Sequence, residues 1–155
     1  MNIDINSEKS MMEFGQTIGR LLNGGEVIEL IGDVGAGKTT FVKGLALGLD
    51  IYENVQSPSF TISRKYFGRD DIELSHYDFY RLNDAGIMRN EIEESIADKS
   101  SVTVIEWGDI IDGVLPQDKI IINIEATGEQ TRKITIQANG EISFEFLEKI
   151  NDFIN

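Results

Sequence analysis

Cysteine is absent from this 155-residue sequence, which excludes a disulfide framework and a thiolate metal site. Long apolar runs are absent too. None approaches the ~20 residues that span a bilayer, so no membrane attachment is expected. The opening stretch "MNIDINSEKSMMEFG" has neither a basic n-region nor an apolar h-region; no signal peptide is expected, and the expected compartment is the cytoplasm. Basic residues are scarce: 14 Lys and Arg stand against 27 Asp and Glu, a net charge of -13. Binding to nucleic acid rests mainly on cationic contacts to phosphate, so direct RNA binding as the main task is disfavoured. Acidity also serves solubility by itself. Only two prolines occur, Pro58 and Pro116, and there is no internal repeat, low-complexity tract or linker-like stretch. What is left, 41% hydrophobic and 26% charged residues, is ordinary for a globular chain of this size, and one domain covering 1–155 is expected.

Against this plain background one stretch stands out. "GDVGAGKTTF", from Gly32 to Phe41, follows the apolar run "EVIELI". Gly32, Gly37, Lys38 and Thr39 match the phosphate-binding loop G-x-x-x-x-G-K-S/T. Glycines there let backbone N–H groups turn inward around phosphate oxygens. Lys38 adds a point charge toward the outer phosphates, its side chain expected to face ligand rather than core, and the Thr39 hydroxyl is a ligand for Mg2+. The following helix aims its positive dipole end at the same anion. A strand before the loop and a helix after it are the context that this motif requires.

The rest of the chain supplies elements around the loop. "SEKSMMEFGQTIGRLL" places Ser7 as an N-cap and Met11, Phe14, Ile18 and Leu21 at helical spacing. The helix after the loop runs to about Leu49. "SFTISRKYF" and "DIELSHYDFY" alternate as strands with a hairpin turn at "GRDD". "RNEIEESIADK" reads as a short acidic helix and "SVTVIEW" as a buried strand. "DKIIINIEATG" and "RKITIQANG" are strands joined near Gly128, and "SFEFLEKINDFIN" is a terminal helix. The expected fold is α/β: a P-loop NTPase-type mixed sheet with helices on both faces.

A P-loop site is usually completed by an acidic residue ending a neighbouring strand. Glu106, at the end of "VTVIE", is the candidate for Mg2+, although a surface glutamate at a strand end would look the same. In "SHYDFYR" an extended strand puts His76, Asp78 and Tyr80 on one face and Tyr77 and Phe79 on the other. Asp78 is a candidate second acid, ligating Mg2+ through water or orienting the attacking water. His76 fits an ordinary structural role equally well. Arg81 is a candidate contact to the γ-phosphate. Ser57, Ser59 and Thr61 lie where P-loop switch proteins sense that phosphate.

Neither an Asp-x-x-Gly turn nor an Asn-Lys-x-Asp guanine-reading motif occurs, so a regulatory GTPase is disfavoured. Three classes stay open: an ATP hydrolase, a small-molecule or nucleoside kinase, and a nucleotide-binding module that does not hydrolyse. Kinases of this kind use a lid with several arginines, whereas Arg64, Arg69, Arg81, Arg89 and Arg132 are scattered here.

"GDVGAGKTTF", "SPSFT", "HYDFYRL" and "VIEW", in that order over nearly the whole chain, resemble the TsaE family of bacterial ATPases, also called YjeE. The resemblance implies a role in making threonylcarbamoyladenosine in tRNA, with ATP hydrolysis that allows repeated turnover of a complex of TsaB and TsaD. Weak hydrolysis by the chain alone, stimulated when that complex docks, is expected because nothing in the sequence fixes the direction of Arg81 and the water-positioning group depends on Asp78 and the segment "SPSFT". The isolated chain is expected to be a monomer, and the resemblance implies contact with tRNA only through that complex. It implies that Gly35, Ala36, Gly37, Lys38, Thr39 and Thr40 bind ATP phosphates, that Thr39, Glu106 and Asp78 serve Mg2+, and that Lys38, Asp78, Glu106 and Trp107 are linked to catalysis. It puts Ser10 and Met11 on the adenine side, where family members commonly carry threonine at the position of Met11. It matches Arg132, following Gly128, to a nucleotide-side arginine. The connection "NDAGIMRNEIEES" follows the family pattern only loosely.

Overall fold

The β-branched runs of the sequence form the centre of one sheet, because strands buried on both faces need apolar side chains on both. The computed structural model describes residues 1–84, 86, 88–111 and 113–155. Residues 85 and 87 of the loosely matched connection, 83–95, lie outside the described residues. The strands are β1 (Asn2–Ile5), β2 (Val27–Ile31), β3 (Ser63–Phe67), β4 (Glu73–Asp78), β5 (Ser101–Glu106), β6 (Ile120–Ala126) and β7 (Arg132–Ala138). Their order is β1-β7-β6-β2-β5-β4-β3. The inner four, β6-β2-β5-β4, are parallel, and β3, β7 and β1 join the edges antiparallel. Helices α1 (Glu8–Leu21), α2 (Lys38–Gly48) and α4 (Glu141–Ile154) cover one face, packing on Ile28, Leu30, Val102 and Val104. Helix α3 (Arg89–Ala97) and the turn near Ile111 cover the other, on Val27, Tyr77 and Ile105. The architecture is thus the expected α/β mixed sheet with helices on both faces.

Three local readings change. β1 is an additional strand; four residues give too short a pattern to read, and its pairing partner lies more than 125 residues away at β7. The strand expected from "SFTISRKYF" begins only at Ser63. Before it the chain turns: the Ile62 N–H donates to the Pro58 carbonyl (2.6 Å), and Ile62 sits at φ 69°. A left-handed conformation costs a side-chain-bearing residue about 1–2 kcal/mol. On α1 the buried stripe includes Met11, Phe14 and Ile18 as expected, but the chain leaves the helix at Leu22, which is fully buried where Leu21 is only partly so.

Helices α1 and α2 cross with their backbones in contact. A Cβ on Gly15 would collide with the Phe41 carbonyl, and one on Gly44 with the Met12 carbonyl; Gly19 and Gly48 are equally closed. Arg69, in the "GRDD" turn, ties down the end of this crossing by donating to the carbonyls of Gly19 (3.1 Å) and Leu22 (2.8 Å). The crossing carries the N-terminus of α1 up to the loop that begins α2.

Candidate nucleotide site

The C-terminal ends of β2, β5 and β4 lie side by side, and open α/β sheets bind ligands at such ends. The loop 32–39 leaves β2 and enters α2. Gly35 (φ 83°) and Gly37 (φ 111°) take the left-handed conformations that turn its backbone. Gly37 is the N-cap of α2 and makes no side-chain cap. By contrast, α1 is capped by Ser7 and Ser10 in a capping box, and α4 by Asp118, which accepts from the N–H groups of Ile142 and Ser143 (2.9 Å each). The first-turn amides of α2 are therefore free of such a cap and favour an anion.

Lys38 lines the cleft at the strand ends, with its ammonium drawn onto neighbouring groups. It is buried, with Nζ donating to the Gly32 carbonyl, 3.9 Å from Glu106 Oε1 and 4.5 Å from the centre of the Trp107 ring. An ammonium in a poorly solvated site takes up every acceptor in reach, and a face-on indole adds about 0.5–2 kcal/mol. Trp107 reaches this position because the chain turns immediately after β5, at φ 56°. That is unusual for a bulky residue, and strain of this kind concentrates at functional sites.

Glu106 is 2% exposed. A buried carboxylate needs partners; it has His76 Nε2 at 2.7 Å from Oε2 and Lys38 beside Oε1. Asp78, opposite Glu106 in the β4–β5 register, accepts from the Ser59 hydroxyl (2.9 Å) and from the Tyr80 N–H (3.0 Å). Ser59 in turn bonds Ser57 (2.8 Å). β4 ends at Asp78, so Tyr80 leaves the strand alternation and its ring instead meets Trp107 at 5.0 Å. Arg81 lays its guanidinium on Phe60, 4.5 Å from the ring centre. On the far face of β4, burial first and then the Glu91 charge hold the Tyr77 hydroxyl well above the ordinary phenol range, so it stays protonated beside α3.

Two clefts flank the loop. One, of about 400 Å³, is lined by Thr39, Ser59, Asp78, Arg81, Glu106 and Trp107. The other, of about 490 Å³, is lined by Ser7, Met11, Gly37, Thr40, Gln130 and Arg132. Ala36 and Gly35 also reach the second cleft, whereas the Ser10 hydroxyl is used within the capping box. Arg132 donates through Nε to the Ala36 carbonyl (2.7 Å) and through Nη1 to the Gly128 carbonyl (3.0 Å), so it fastens the loop to the β6–β7 turn. A larger cleft, of about 580 Å³, opens beyond Trp107. It is also lined by the loop residues Gly32 to Ala36, together with Glu29, Asp109 and Glu125. Glu29 is paired with Lys119 (2.9 Å), and the remaining carboxylates disfavour phosphate there, so the candidate anion site is the part of the loop between the two smaller clefts.

Sequence reasoning placed Lys38, Thr39, Asp78, Glu106 and Trp107, and the structure brings all five to one cleft. It did not foresee the His76–Glu106 bond, the Ser59–Asp78 bond or the Phe60–Arg81 stack. The two-residue spacing of His76 and Asp78 was the signal for the first. The other two join segments about 20 residues apart and left none.

Comparison with known proteins identifies the family and the fold. The family model described as threonylcarbamoyl adenosine biosynthesis protein TsaE matches residues 5–134. The tRNA threonylcarbamoyladenosine biosynthesis protein TsaE of Treponema pallidum is 38% identical over 130 residues, covering 84% of this chain and 95% of that one. The protein of the same name from Bacillus subtilis is 41% identical over 120 residues, covering 75% and 72%. The crystal structure of Bacillus subtilis YdiB superimposes with a TM-score of 0.83 at 30% identity, covering 100% of this chain and 96% of that one.

Proposed function

This chain belongs to the TsaE family of threonylcarbamoyl adenosine biosynthesis proteins, and from that premise we propose that it is an ATP hydrolase, weak alone, that supports turnover of a TsaB–TsaD complex. The observation that carries the proposal is the meeting of Lys38, Glu106 and Asp78 where the ends of three adjacent parallel strands face one loop. The amides of residues 35–40 and the Lys38 ammonium hold the phosphates. The adenine side lies in the cleft with Ser7, Met11 and Arg132, Ser10 acting through the capping box beside it.

The donor set at the other cleft fits Mg2+. Thr39, Glu106 and Asp78 offer only oxygen, and Mg2+ binds through one or two carboxylates plus substrate phosphates. Among the described residues there is no group of three or more His, Cys, Asp and Glu that would cage a metal without phosphate. Bound there, Mg2+ neutralises charge developing on the transferred phosphoryl group. Asp78, facing the same cleft from β4, accepts a hydrogen bond from the attacking water and orients it once Ser59 releases the oxygen it now holds. Trp107 walls the cleft and keeps Lys38 over the loop.

No helix among the described residues is long and apolar enough to cross a membrane. We take the chain as one cytoplasmic P-loop ATPase domain over 1–155, monomeric by itself, reaching tRNA only through its partners. Phosphate release from the purified protein, given ATP or GTP, tests the assignment. Slow release from ATP, absent for GTP, is expected. A GTP preference would indicate a switch protein, phosphate transfer to an added nucleoside would indicate a kinase, and no release even with TsaB and TsaD would leave a binding module.

A further inference from the structure

His76 is fully buried between Leu74 and Asp78 on the strand face that packs under α2. It is the only histidine in the chain, and the chemistry above makes no use of it. Its Nε2 lies 2.7 Å from Glu106 Oε2, while its Nδ1 is sealed from solvent and has no hydrogen-bond partner among the described residues. An aliphatic side chain there would avoid a buried ring nitrogen with no partner, which is unfavourable. The neighbours on that face, Leu74 and Val104, are aliphatic. The imidazole is therefore explained by the bond it makes, not by packing.

We propose that His76 is the positioning residue for Glu106, an inference that rests on the reading of Glu106 as the carboxylate serving Mg2+. A carboxylate only accepts, so Nε2 carries the ring proton. A proton on Nδ1 would be a buried donor without a partner among the described residues. The bond pins Oε2 toward the core and leaves Oε1 on the cleft side, where Lys38 stands off at 3.9 Å. Without the imidazole, Glu106 would be free to rotate and close on Lys38. One movement would then withdraw both the metal-facing oxygen and the phosphate-facing ammonium. Hydrogen bonds of this kind to a ligating carboxylate typically contribute 10–100-fold to metal affinity.

Two measurements test the assignment. In wild-type protein the single imidazole gives one ¹⁵N long-range correlation pattern; a protonated Nε2 and a bare Nδ1 are expected, and the opposite tautomer overturns the proposal without any variant. Separately, Mn2+ binding to the ATP complex is measured by electron paramagnetic resonance, and ATP binding in EDTA by calorimetry. His76→Leu is expected to weaken Mn2+ binding about 10–100-fold while ATP affinity in EDTA stays within about threefold. His76→Gln, which keeps an N–H donor at similar reach, is expected to restore Mn2+ binding to within about threefold. Unchanged Mn2+ binding in His76→Leu, or equal loss in His76→Gln, overturns the positioning role while the ATPase reading stands. Wild-type protein that binds neither Mn2+ nor ATP overturns the ATPase reading, and the positioning role with it.

Discussion

On the α1–α2 side of the P-loop, four glycines let two helices meet backbone to backbone. On the β3–β4 side, residues 57–62 are held by the Ser59–Asp78 bond, the Ser57–Ser59 bond and the stack of Phe60 on Arg81. The first arrangement has no slack, because every shift meets a carbonyl or an α-carbon. The second consists of polar and cation–π contacts worth about 0.5–1.5 kcal/mol each, around Phe60, which is 83% exposed. The loop that would hold phosphate is thus set by packing. The groups that would place the water are set by contacts that a docking protein can replace. On the proposed function, binding and hydrolysis are expected to be separable.

The comparison is broken most severely at the helix crossing. Gly44→Val drives a branched side chain into the Met12 carbonyl, and a loss of about 4 kcal/mol or more in stability is expected, read as thermal unfolding well below wild type with ATP binding lost alongside. A variant that folds and binds normally would mean that the platform is not needed. At the loop itself, Lys38→Ala is expected to cut ATP hydrolysis measured with partners by about 10²–10³. The protein should stay folded by circular dichroism, because His76 still holds Glu106.

Asp78→Ala separates the two sides. Loss of the partner-stimulated rate, by about tenfold or more, is expected with ATP affinity little changed, since on the proposed mechanism hydrolysis would lose its water-orienting group. Equal losses of affinity and rate would show that Asp78 belongs to the binding side. The smallest effect is expected at Phe60→Ala: stability within about 0.5 kcal/mol of wild type by chemical denaturation. A larger loss would mean that 57–62 is as tightly packed as the helices.

This division was only partly legible in the sequence. The loop 32–39 was readable because its motif, the preceding strand and the following helix are local and agree. Glu106 and Asp78 were readable because strand ends beside a P-loop have a known use, and the β4–β5 register pairs them. The backbone at Ile62 and Trp107 was not, since positive φ at such residues runs against local preference and is imposed by what surrounds them. Nor was the cap of α4 by Asp118, 24 residues before Ile142, or the meshing of Gly15 and Gly19 with Gly44 and Gly48. Those depend on two segments being brought together, which a single chain of letters does not display. For Lys38 the motif gives the charge a purpose but does not say that Gly32, Glu106 and Trp107 gather it in.

The separation of binding from hydrolysis is tested most directly by steady-state phosphate release from ATP across a titration of purified TsaB and TsaD. A low rate for the isolated chain, rising at least about tenfold at saturation, is expected, equivalent to roughly 1.4 kcal/mol in barrier. A rate that stays flat to saturation, or one already fast without partners, would contradict it.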